Sequence, residues 1–132
     1  MIKRTLGFVA TVCMAAGLLQ AHHSLAGVYD MKAEKELSGT VEKVQFTNPH
    51  GSLSLAVKNA DGKTTSWVLT IGSATALAQR GIGKTGPYAL HAGANVTVKA
   101  IPAKDGGPLG VLKTVIFADG HVIEVFGGNP ND

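Results

Sequence analysis

The stretch SLSLAVKNADGKTTSWVLTI, residues 52–71, constrains the fold more than any other part of the chain. Leu53, Leu55 and Val57 recur at every second position, and so do Thr65, Trp67, Leu69 and Ile71. That period puts one set of side chains on one face of an extended strand. Between the two runs, Asp61-Gly62 supplies the positive φ angles that a tight turn needs. The segment reads as a β-hairpin with one apolar face. A lone hairpin is marginal in water, so the rest of the chain has to cover that face.

The remaining segments supply the partners. In ELSGTVEKVQFTN (36–48), Leu37 and Val41 share one phase while Val44 and Phe46 share the other. A two-residue period that slips once predicts a bulge or bend near Glu42 and Lys43. SATALAQRG (73–81) is the one helical candidate. Ser73 caps its start, Ala74, Leu77 and Ala78 form its apolar stripe, and Gly81 ends it. ANVTVKAIP (94–102) is a strand with Val96 and Val98 inward. LGVLKTVIFADGHVIEVF (109–126) reads as two strands joined at Asp119-Gly120. Three strands, a short helix and two or three more strands give an all-β reading: a small OB-like barrel, five- to six-stranded, with one short helix. A β-sandwich is the alternative. The chain's 132 residues suffice for one domain. That domain is expected over 37–126, with an irregular N-terminal arm at 22–36 and a disordered tail at 127–132.

The first residues have a different character. Lys3 and Arg4 precede the uncharged run TLGFVATVCMAAGLL, and LQA closes it with Leu19 and Ala21 at the −3 and −1 positions of a cleavage site. This pattern predicts a signal peptide over 1–21, cut after Ala21, and a periplasmic or secreted protein. The run is short for a bilayer span, so no stable membrane anchor is expected after cleavage. Cys13, the chain's one cysteine, would leave with the peptide. No disulfide and no thiolate site would then remain. Losing Lys3 and Arg4 also leaves 10 basic against 9 acidic residues. That near-balance provides no electrostatic footprint for nucleic acid.

GIGKTG (81–86) matches a dinucleotide-binding pattern in letters only. That motif needs a strand before it and a helix after it; here a helix precedes it and Pro87 follows. No nucleotide is expected. No serine, histidine and acid form a recognisable triad, and no close carboxylate pair suggests glycosidase chemistry. An enzyme is not expected.

The chemistry-bearing residues are histidines. AHHS (21–24) places His22 at the new N-terminus if the cut falls after Ala21. A terminal histidine offers an α-amine and an imidazole to one metal ion, closing a chelate ring. Nitrogen ligands of this kind favour Cu(II) first and Zn(II) second. His50 is the candidate third ligand. In TNPHGS (47–52) Pro49 takes the first central position of a turn, His50 the second and Gly51 the last, with Asn48 beside the ring. The expected metal set is His22, His23 and His50. His91 and His121 read as surface residues.

Taken together, AHHSLAGVYD, LSGTVEKVQFTNPHGSLSL, DGKTTSWVL, IPAKDG and ADGH resemble DUF6152, a family of small exported bacterial proteins of unknown function. The resemblance spans nearly all of the chain after the signal segment. It implies export and a compact β-fold, and it groups His22, His23 and His50 in one pattern. The resemblance implies an aliphatic residue followed by a glutamate after the tryptophan; Thr70 stands where that acid is expected in this chain. The functional expectation is an exported barrel that binds copper or zinc for buffering, delivery or sensing, with a metal ion or an unknown periplasmic protein as partner. The alternative is a metal-free module in which the barrel face and Trp67 meet a protein or small ligand. A third is a copper-dependent oxidative enzyme.

Overall fold

The computed structural model describes residues 24–126. In chain order the elements are α1 (Ser24–Val28), β1 (Lys35–Gln45), β2 (Gly51–Lys58), β3 (Thr64–Ile71), α2 (Ala74–Gln79), β4 (Asn95–Pro102), β5 (Leu109–Phe117) and β6 (Val122–Glu124). The strands pair in the order β3-β2-β1-β4-β5-β6, and β3 also pairs with β5 in parallel. That last pairing closes a five-stranded barrel of the expected OB-like kind and leaves β6 as an extra strand. Among the described residues no helix is long and apolar enough to cross a membrane.

The alternating residues of the β2–β3 hairpin meet inside. Leu53, Leu55, Val57, Trp67, Leu69 and Ile71 all belong to the main core. Trp67 is only 7% exposed, and the Lys35 ammonium lies 5.0 Å from its ring centroid. Its indole therefore packs in the main core. The β1 bulge falls where the phase slip predicts it. Val41 faces Leu55 and Lys43 faces Ser54, which leaves Glu42 as the extra residue. The slip lets Leu37 and Val41, then Val44, turn toward the same core.

Both hairpin loops close in one way. Gly62 N–H donates to the Asn59 carbonyl at 3.0 Å and Gly120 N–H to the Phe117 carbonyl at 2.9 Å. Only the glycines have positive φ, 83° and 86°. Asp61 and Asp119 instead accept the N–H of Lys63 and His121, each at 2.9 Å. Positive φ at both Asp61 and Gly62, as expected from sequence, is thus replaced by one left-handed glycine and an Asp that bonds two residues on.

Helix α2 matches its sequence signals closely. Ser73 Oγ accepts the Ala76 N–H at 3.1 Å. At the other end Gly81 N–H reaches the Ala78 carbonyl and Ile82 N–H the Leu77 carbonyl, both at 3.0 Å. This is the Schellman closure, which needs the left-handed Gly81. Leu77 is fully buried, whereas Ala78 is exposed, so the buried stripe is narrower than expected. No helix follows the GIGKTG loop; Gly83 and Ala89 form an isolated bridge instead.

The segment expected as an irregular arm carries α1 and docks on the barrel's outside. Asp30 N–H donates to the Pro102 carbonyl and Lys104 N–H to the Val28 carbonyl, both at 2.9 Å. Leu25, Tyr29 and Met31 pack on a second cluster of Ile101, Val111 and Phe126. This explains why β4 and β5 lose their alternation near Ala100–Ile101 and Val111–Leu112: one face looks into the barrel and the other is covered by the arm. Glu34 adds ion pairs to Lys113 at 2.6 Å and Lys99 at 3.7 Å.

Candidate functional site

β5 changes partners along its length. Leu109–Val111 pair with β3, and Thr114–Ile116 pair with β6. Lys113 is a bulge against β4, and its carbonyl accepts the N–H groups of both Val125 (2.8 Å) and Phe126 (3.1 Å). A seam therefore opens between the end of β3 and the residues after β6. It forms a cleft of about 300 Å³. Ile71, Leu112 and Val125 reach it from the main core, and Val111, Phe126 and Leu25 from the arm cluster. His50, Thr70, Ser73 and Arg80 provide its polar lining.

His50 sits on this cleft because the turn before β2 is tied down. The Thr47 carbonyl accepts the N–H of Ala74 at the start of α2, 3.2 Å away. Gly51 N–H donates to the Gly72 carbonyl at 3.3 Å. Gly51 itself is obligatory: a Cβ there would lie 2.2 Å from the Gln45 carbonyl oxygen. The Asn48–Pro49 bond is cis, which departs from the turn expected with Pro49 in its first central position. Thr47 Oγ1, rather than Asn48, makes the local bond, to the His50 carbonyl. The imidazole remains exposed.

Of the expected metal set, His50 alone lies among the described residues; His22 and His23 lie outside them. Among the described residues no three His, Cys, Asp or Glu side chains gather closely enough to hold a metal. His91 and His121 are both exposed, as expected, and neither lines the cleft. His121 stacks on Tyr88 with ring centroids 3.9 Å apart. Thr70, where the resemblance implies an acid, lines the same cleft as His50.

Sequence reasoning missed Leu25, Arg80 and Phe126. One signal was available: Arg80 is the chain's only arginine besides Arg4, among 12 basic residues. A larger, shallow hollow of about 510 Å³ lies over β1 and β4. Its polar groups are already bonded to each other, Ser38 to Thr97 and Thr40 to Asn95, each at 2.8 Å. It has neither charge nor enclosure, so the seam cleft is the better candidate.

No curated protein and no solved structure matches the chain. The model of the family of unknown function DUF6152 matches residues 9–113, most of the length, and the chain belongs to that family.

Proposed function

We propose that this is an exported periplasmic barrel that binds Cu(II), and Zn(II) second, through His22, His23 and His50. Its role is buffering, delivery or sensing of the metal. One observation carries the reading: Leu25 and His50 line the same cleft. His23 is two residues before Leu25, and an extended chain spans at most about 3.6 Å per residue. Connectivity therefore keeps the His23 Cα within about 7 Å of the Leu25 Cα. On this reading the tandem pair and His50 meet at one ion.

The chemistry follows from the ligands. A chain starting at His22 has an amine with an ordinary pKa of about 7.7–8.0, so part of it is neutral near pH 7. Amine and imidazole from one residue and imidazole from His50 form an all-nitrogen set suited to Cu(II). The test begins with the intact mass of the exported protein, to establish where the mature chain starts. Cu(II) is then titrated against a competing chelator for wild type, His22→Ala and His50→Ala. The reading expects one tight site weakened in both variants. Equal affinity in all three would contradict it.

A second reading is a metal-free binding module. The apolar walls of the seam cleft favour it, and they move the contact from buried Trp67 to the seam.

A further inference from the structure

We propose that the seam cleft binds a small amphipathic carboxylate, with Arg80 receiving the carboxylate and the cleft walls its apolar body. This rests on the metal-free reading and names the ligand's chemistry. It requires no metal.

Charge points to an anion. None of the residues lining the cleft is acidic, while Arg80 and His50 are both basic types. Arg80 is exposed, and both ion pairs among the described residues are made by Glu34, to Lys99 and Lys113, so Arg80 has no ion-pair partner among them. A planar guanidinium with paired N–H donors matches a carboxylate better than a lysine does. In a chain with ten lysines and two arginines, an arginine stands at this cleft.

Shape and surface point to an apolar body. Walls such as Ile71, Val111, Leu112 and Phe126 come from two separate cores, so the cleft has aliphatic sides and an aromatic edge. Its volume of about 300 Å³ is at the small end for ligand pockets. That space suits a short alkyl or aryl acid and is too small for a folded partner. The Thr70 hydroxyl adds one hydrogen-bonding group along the lining.

The test uses the mature protein, ¹⁵N-labelled, in EDTA, titrated by NMR with octanoate, octanol and octylamine. Octanoate is expected to shift the amides of Thr70, Gly72, Val111 and Val125 saturably. It should bind about tenfold more tightly than octanol, the worth of one charge-assisted hydrogen-bonded contact, and octylamine should bind no better than octanol. Arg80→Gln should lose that advantage, and Arg80→Lys should keep part of it. Arg80 is exposed, so both variants should keep the wild-type spectrum elsewhere. Equal binding of octanoate and octanol, an unchanged Arg80→Gln, or shifts confined to the Ser38–Thr97 hollow would each overturn the proposal. EDTA removes metal from every arm, so failure here leaves the copper reading standing, and failure of copper binding leaves this one standing.

Discussion

The Thr47 hydroxyl donates to the His50 carbonyl at 2.8 Å. The Thr47 carbonyl meanwhile accepts from Ala74, so one residue ties the histidine's turn to helix α2. Thr47→Val keeps the side-chain shape and removes the bond. We expect a loss of about 0.5–1 kcal/mol in urea denaturation, modest because the bond is exposed. The Gly51 amide, which shares that peptide group and bonds to the Gly72 carbonyl, should also exchange its hydrogen faster. Unchanged exchange at Gly51 would show that the turn is held by something else.

Gly51 tests the same turn from its other end. An added methyl meets backbone at the Gln45 carbonyl, which cannot swing away, and Ile71 Cγ1 at 3.0 Å. Gly51→Ala should cost about 2–3 kcal/mol in chemical denaturation. Gly62→Ala meets no atom and suffers only the positive φ, so about 1 kcal/mol is expected there. Equal costs for the two would contradict the close-approach argument.

How far the sequence reveals this molecule depends on distance along the chain. The hairpin alternation, the slip at Glu42 and the Ser73 and Gly81 caps are local, and each is legible because the pattern and its cause lie within a few residues. The parallel β3–β5 pairing is not local, so the barrel's closure follows from element order only by analogy. The arm's docking is less visible still. Ile101 and Val111 break the alternation, yet nothing in their neighbourhood says that Leu25 and Tyr29 cover them. The cleft inherits that difficulty: His50 stands out in the sequence as an imidazole on a turn, whereas Arg80 and Phe126 acquire meaning only from the seam that brings them together.

Arm docking makes its own prediction. Phe126 is 8% exposed and anchors the outer cluster. Phe126→Ala should destabilise the fold by about 2–4 kcal/mol, and it should speed hydrogen exchange at Asp30, whose N–H bonds to Pro102. Destabilisation with unchanged exchange at Asp30 would separate the arm from this cluster.

Glu34 makes the docking pH-dependent. The hydrogen bond from Lys113 is the largest cause that holds its carboxyl below the ordinary value of 4.5; the charges of Lys113 and Lys99 add to it. A depressed folded-state pKa stabilises the protein above the unfolded value and loses that effect as pH falls through the folded one. The urea midpoint of wild type should therefore drop more steeply than that of Glu34→Gln below about pH 4.5. Parallel curves would mean that the pair is too screened by solvent to matter.

The central proposal is that one Cu(II) ion is shared between His22, His23 and His50. Pulsed EPR of the one-to-one Cu(II) complex counts coupled imidazoles directly. The account predicts that His50→Ala loses one imidazole while the amine-containing set from the terminus persists. An identical imidazole count in wild type and His50→Ala would contradict it.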